Sequence, residues 1–251
     1  MRVAVKFAYN GRNFSGYARQ PYQQTIEGNL LQMLGEQGFI TDIKHACFRT
    51  ASRTDKGVSA LGNVCAFNTS TLKEEIIPKL TENISEIFVY GIQLVDSVFY
   101  PRYATRRDYR YYLRRDDLDS DAVRAAAALF TGEHNFQNFA RVEPLKNPVR
   151  TIDRIVITEQ EPFFVIDFSA QTYLWNQIRR IISALKKAGD GTLTLEKIRY
   201  ALDHPEQRVD FQVAPPEPLI LKEVVYDFSF EYMKGYAKKL AVFEQALTSS
   251  L

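Results

Sequence analysis

The sequence predicts an α+β protein: a mixed, largely antiparallel sheet with helices on one side, arranged as two similar halves. Three observations lead there. Short segments alternate apolar and polar residues with period two and are joined by hairpin-type turns. Amphipathic segments of helical period lie among them without strict βα alternation. A comparable set of strands and helices falls on either side of residue 100, giving expected domains 1–100 and 101–251. The 251 residues suffice to bury a core, and 45% hydrophobic with 25% charged residues is ordinary for a folded protein.

The elements follow in order. Met1 to Phe7 alternates as a first strand and lacks the continuous apolar run of a secretory signal. Asn10-Gly11-Arg12-Asn13 turns the chain, and Ile26, Leu30, Leu31 and Leu34 recur at helical spacing behind a Thr25 cap. Arg53 to Gly57 falls on a loop before a strand over Gly62–Phe67. A helix is expected over Leu72–Leu80 and a buried strand over Ile87–Val95. Ser120 caps a helix that Gly132 ends, and the aromatic loop His134–Phe139 follows. Strands are expected near Arg150–Thr158 and Phe163–Ala170 around Glu161-Pro162, then helices over Leu174–Ala188 and Leu195–Leu202, then a last strand over Val224–Phe230.

Composition narrows function by exclusion. The formal charge of +2 is too near neutral to announce a nucleic-acid partner by itself. Cys47 and Cys65 are the only cysteines. They form no disulfide framework, have no His or Cys cluster at zinc spacing, and read as small packed residues in a reducing compartment. No metal is expected. No stretch reaches the ~18 apolar residues of a membrane span, so a soluble, cytoplasmic protein is expected. His45, His134 and His204 sit in no catalytic constellation.

Positive charge is concentrated at Arg102, Arg106, Arg107, Arg110, Arg114 and Arg115, interleaved with Tyr103, Tyr109, Tyr111 and Tyr112. On a strand, Arg107, Tyr109, Tyr111 and Leu113 share one face. Guanidinium groups take phosphates and rings stack on unpaired bases, so the stretch is a candidate RNA surface; a solvated edge strand is the competing reading. Arg179-Arg180 forms a second basic pair.

On the loop, Arg53 and Lys56 flank Asp55 and favour its ionised form, while Gly57 permits a tight turn. By spacing alone Asp55 is open between ion pair, base and nucleophile. Arg53-Thr54-Asp55-Lys56-Gly57-Val58 resembles the signature of the TruA family of tRNA pseudouridine synthases. Tyr9-Asn10-Gly11, Phe14-Ser15-Gly16-Tyr17 and Thr25-Ile26-Glu27-Gly28 are similar to the family's opening elements. Arg107-Asp108-Tyr109-Arg110-Tyr111 resembles its second motif, Asn176-Gln177-Ile178-Arg179-Arg180 its third, and Ala214-Pro215-Pro216-Glu217-Pro218-Leu219 a late pocket element. Ser52, Ser59, Tyr17 and Pro218 depart from the residues usual in bacterial members, and none of them carries the chemistry.

The resemblance implies the pseudouridine synthase fold, with the two halves facing a central RNA-binding cleft. Asp55 is then the nucleophile, preceded by Arg53 and paired with Arg179. Tyr109 and Tyr111 lie at the target uracil, Leu219 supplies an apolar wall, and Arg102, Arg106, Arg107, Arg110 and Arg180 track RNA. It further implies no cofactor, a homodimer, and action on uridines 38 to 40 of the tRNA anticodon stem-loop. The alternatives are a non-catalytic RNA-binding protein, or a synthase acting on other RNA sites.

Overall fold

A computed structural model describes residues 1–81, 86–249 and 251. The chain runs through β1 (Arg2–Tyr9), α1 (Ile26–Glu36), β2 (Arg49–Thr50), β3 (Ser59–Asn68), α2 (Lys73–Thr81), β4 (Ile87–Val95) and β5 (Arg106–Arg114). Next come α3 (Ser120–Ala128), β6 (Gly132–Asn135), β7 (Val149–Ile152), β8 (Arg154–Gln160) and β9 (Phe163–Ala170). The last elements are α4 (Gln177–Gly189), α5 (Leu195–Asp203), β10 (Leu219–Val225), β11 (Glu231–Tyr232) and α6 (Tyr236–Thr248). The fold is α+β with largely antiparallel pairing.

Two compact units result: Met1–Thr105 with Ile220–Leu251, and Arg106–Leu219. Residues 220–251 therefore join the first unit instead of the second half expected from sequence, because β10 pairs in parallel with β3 at Ile220–Ser59 and Leu221–Ala60.

In the first unit β1 pairs antiparallel with both β3 and β4, with Val5 opposite Cys65 and Ile92. Every residue of β1 is buried, so both faces of the strand are covered. Its alternation puts Lys6 on the same face as Ala4 and Ala8. The Lys6 ammonium pairs with Glu223 and lies 4.8 Å from the centre of the Phe230 ring, which lets a buried cation be tolerated. On that face Ala8, Phe88 and Tyr90 pack against Met233, Tyr236, Leu240 and Phe243, so α6 closes the core. Thr25 caps α1 as expected, its hydroxyl accepting from the Gly28 amide at 3.2 Å, and Ile26, Leu30, Leu31 and Leu34 are buried.

In the second unit β9 is paired antiparallel with β5 and β8, with Ile166 opposite Tyr111 and Ile157. The expected single strand near Arg150–Thr158 is divided: β7 pairs with β6, and β8 pairs with β9. Buried Ile178, Ile181, Ile182 and Leu185 form the inner stripe of α4. The aromatic loop contributes Phe139, stacked 4.4 Å from Phe211, and Asn138, whose amide donates to the carbonyls of Ala201 at 2.9 Å and Gln207 at 3.1 Å.

Further local expectations change: Asp119, not Ser120, caps α3, its carboxylate accepting from the Asp121 and Ala122 amides. Val224–Phe230 is not one strand: β10 ends at Val225, and Tyr226 and Phe228 stack ring on ring at 5.1 Å. That ring packing produces the same alternation as a strand without a backbone ladder. The helix over Tyr236–Thr248 was unexpected. Cys47 is exposed, at φ 45°, whereas Cys65 is buried as expected.

Burial pushes the phenols of Tyr17, Tyr90, Tyr111 and Tyr173 above their ordinary value, because the phenolate would lose its hydration. The folded chain thus keeps protons that the unfolded chain releases. Their contribution is complete below about pH 10 and falls as pH rises past it. Melting temperature should be flat between neutral pH and about pH 10 and drop above it, with the phenolate absorbance of these four tyrosines appearing together with unfolding. Full phenolate absorbance in a still-folded chain would contradict this.

Candidate functional site

Asp55 sits on a four-residue turn in the first unit. The Val58 amide donates to the Asp55 carbonyl at 3.1 Å, and Gly57 has φ 87°. Lys56 is not left-handed, so this is the arrangement of a type II turn, in which glycine meets the positive φ of the third residue. Asp55 is partly exposed between exposed Arg53 and Lys56, while Thr54 and Val58 on either side are buried. Asp55 thus stands on a backbone held by buried residues on both flanks.

The hold comes from the N-terminal elements. Tyr9, fully buried at the end of β1, places its hydroxyl 2.8 Å from Thr54 Oγ1. Asn63, also fully buried, donates to the Ser52 carbonyl at 2.9 Å and to Tyr9 Oη at 3.4 Å. The Gly11 amide donates to Ser59 Oγ at 3.0 Å, and a Cβ at Gly11 would sit 2.0 Å from the Val58 carbonyl oxygen. Tyr17 Oη lies 2.6 Å from Thr50 Oγ1. The opening motif therefore acts as the seat of the Asp55 turn. Tyr9→Phe removes one buried partner of Thr54 and should cost about 1–2 kcal/mol of stability. A thermal melt reads this, and an unaltered melting temperature would contradict the seating role.

In the second unit, Ala214–Leu219 ties three of the sequence-predicted residues together. Arg179, in the first turn of α4, donates from Nε to the Ala214 carbonyl at 2.7 Å and from Nη1 to Asn176 Oδ1 at 3.2 Å. The Ala214 amide returns a bond to the Arg179 carbonyl at 3.1 Å. Tyr111 Oη donates to the Pro215 carbonyl at 3.1 Å, and the Tyr112 amide to that of Pro218 at 3.2 Å. Leu219, 6% exposed, closes a turn through its amide to the Pro216 carbonyl at 3.0 Å. Burial raises the Tyr111 phenol, and the nearby Arg179 cation works in the opposite direction. Tyr111 is thus a neutral hydroxyl at physiological pH.

Tyr109, two residues from Tyr111 on the same face of β5, is half-buried and meets Tyr173 edge to face at 5.3 Å. The interleaved arginines are less free than their spacing suggests. Arg110 grips Asp167, its register partner on β9, with Nε to Oδ1 at 2.8 Å and Nη2 to Oδ2 at 2.9 Å. Arg106 pairs with Asp108 at 2.9 Å, and Arg180 with Asp210 at 2.8 Å. Arg107 is buried and donates to the Gln171 carbonyl; Arg102 is exposed. Carboxylates hold several of these cations in fixed orientations, and the surface pairs are each worth ~1 kcal/mol or less.

Sequence reasoning singled out Asp55, Arg179, Tyr109, Tyr111 and Leu219 as candidates but passed over Thr54, Asn63 and Asp167, which hold them or their neighbours. Thr54 lies inside the quoted signature, and Asn63 five residues beyond its end. Asp167 carried a signal in being a lone acid in an apolar strand. Among the described residues no group of three His, Cys, Asp or Glu side chains is placed to hold a metal ion, and no helix is long and apolar enough to cross a membrane.

Residues 126–227 match a family model described as tRNA pseudouridine synthase. The tRNA pseudouridine synthase A of Thermococcus sibiricus is 42% identical over 230 residues, covering 90% of this chain and 85% of that protein. The protein of the same name from Methanocorpusculum labreanum is 39% identical over 238 residues, covering 93% and 83%. Among solved structures, a Cbf5-Nop10-Gar1 complex resembles the chain at TM-score 0.40 and 14% identity, covering 73% of this chain and 44% of that one.

Proposed function

Because this chain belongs to the tRNA pseudouridine synthase family, an isomerase family, we propose that it converts uridines 38 to 40 of the tRNA anticodon stem-loop to pseudouridine, with Asp55 as nucleophile. The observation that carries the reading is Asp55 itself, a partly exposed aspartate on a turn held by buried hydroxyl, amide and glycine contacts. Pre-organised placement of one reacting group is what a reaction without net oxidation or reduction asks of a protein.

The reaction breaks the N1–C1′ bond, turns the freed uracil and joins C5 to C1′. C5 loses its hydrogen and N1 gains one, so atoms balance without a co-reactant or cofactor. The Asp55 carboxylate has three routes, attack at C6, attack at C1′ or assistance at C2′, and each needs one ionised carboxylate. The target base leaves its stack at a cost of a few kcal/mol, which a stacking ring such as Tyr109 offsets. Tyr111 offers a neutral hydrogen-bonding group, Leu219 an apolar surface, and Arg179 and Arg53 cations for developing negative charge or phosphate. Arg102, Arg106, Arg107, Arg110 and Arg180 serve the RNA backbone. A homodimer in the cytoplasm completes the reading.

Incubating the protein with unmodified total tRNA and mapping pseudouridine by chemical sequencing tests it. New pseudouridine within positions 38 to 40 is the expected result. Modification elsewhere in tRNA would relocate the substrate uridine, and no new site in any RNA would overturn the function.

A further inference from the structure

Trp175 is the only tryptophan of the chain and remains 46% exposed. A tryptophan serving the core would be buried, since its large apolar area is what it contributes there. This one is instead fixed in place at the surface. The Arg141 amide donates to the Trp175 carbonyl at 2.7 Å, closing an isolated antiparallel bridge between two otherwise unpaired segments. The Arg141 guanidinium lies 4.0 Å from the centre of the indole ring. A cation over one face orients the ring and leaves the remainder of its surface for another planar group.

Position gives the ring its meaning. Trp175 directly precedes Asn176, the left-handed residue that opens α4 at φ 62° and whose Oδ1 accepts from Arg179 at 3.2 Å. Trp175 and Arg179 thus lie at the same end of α4, within one unit. Single-stranded and splayed-out RNA bases are held by stacking on aromatic rings and guanidinium planes, and such contacts tolerate any base.

We propose that Trp175, backed by Arg141, is a stacking platform for an unpaired tRNA base neighbouring the target uridine. It is a positioning element that holds the loop open while the target is turned out. The inference rests on the tRNA-modifying reading and adds a contact which that reading does not require.

Because Trp175 is the sole tryptophan, its fluorescence reports the platform in the unaltered protein. Saturating unmodified tRNA should quench the emission and shield the indole from acrylamide. Trp175→Ala should weaken tRNA binding about tenfold and raise KM in parallel, with kcat within about threefold; Trp175→Phe should retain most of the affinity. Stacking releases no counterions, so the salt dependence of binding should keep its slope in Trp175→Ala. Unchanged emission and unchanged acrylamide access at saturating tRNA would overturn the proposal without any variant. So would wild-type affinity in a Trp175→Ala protein that melts normally. Pseudouridine formed by the intact chain without indole protection would sink the platform alone. Protection without pseudouridine would sink the enzyme reading and leave the platform standing.

Discussion

Asp55→Ala is expected to abolish pseudouridine formation, by ~10⁴-fold or more in single turnover, while the dissociation constant for tRNA stays within about threefold. In the proposed reading all three chemical routes pass through the Asp55 carboxylate, and its neighbours on the turn, Arg53 and Lys56, are cations that offer no second acid. Asp55 is partly exposed, and the backbone bond from Val58 to the Asp55 carbonyl is indifferent to the side chain. Melting temperature should therefore move little. A variant that still turns over at a measurable fraction of the native rate would remove Asp55 from the chemistry.

Gly11→Ala is expected to be the most damaging conservative change outside the turn. Its methyl would lie 2.0 Å from the Val58 oxygen and 2.5 Å from the Val58 carbonyl carbon, both backbone atoms that no rotamer change can move. Gly11 does not occupy a left-handed conformation, so room is what the position demands. Relief requires displacing the 3₁₀ turn at Gly11–Asn13 or the Asp55–Val58 turn. The expected cost is about 3 kcal/mol in stability and about 100-fold in kcat, since misplacing a reacting group by ~1 Å costs that much. Gly35→Ala is the control. Nothing lies within 4 Å of its missing Cβ, it sits in α1, and alanine there should stabilise by about 0.5–1 kcal/mol. Equal melting temperatures and rates for Gly11→Ala and the native chain would contradict the seating of the turn.

How much was legible in the sequence follows from which interactions are local. Ile87–Val95 and Phe163–Ala170 coincide with β4 and β9, and the Thr25 cap with the start of α1, because alternation and capping are written within a few residues. Leu174–Ala188 begins three residues before α4 does, since Asn176 turns left-handed and delays the helix. The return of residues 220–251 to the first unit was not legible: it depends on a parallel pairing between Ile220 and Ser59, which no local pattern announces. The Tyr226–Phe230 alternation misled because ring stacking and strand pleating share a period. At the candidate site, the residues proposed to act could be named from motif order. The residues that hold them could not, because Tyr9–Thr54, Gly11–Val58 and Arg110–Asp167 each join positions about 45 or more apart in sequence.

Release of the uridine C5 hydrogen, followed with tritium-labelled unmodified tRNA in single turnover, tests most directly whether the Asp55 carboxylate carries the isomerisation. With the native chain, label should leave at the rate at which pseudouridine forms. With Asp55→Asn, which keeps the shape and loses the charge, label should stay on tRNA that is still bound. Release by Asp55→Asn at the native rate would contradict the assignment.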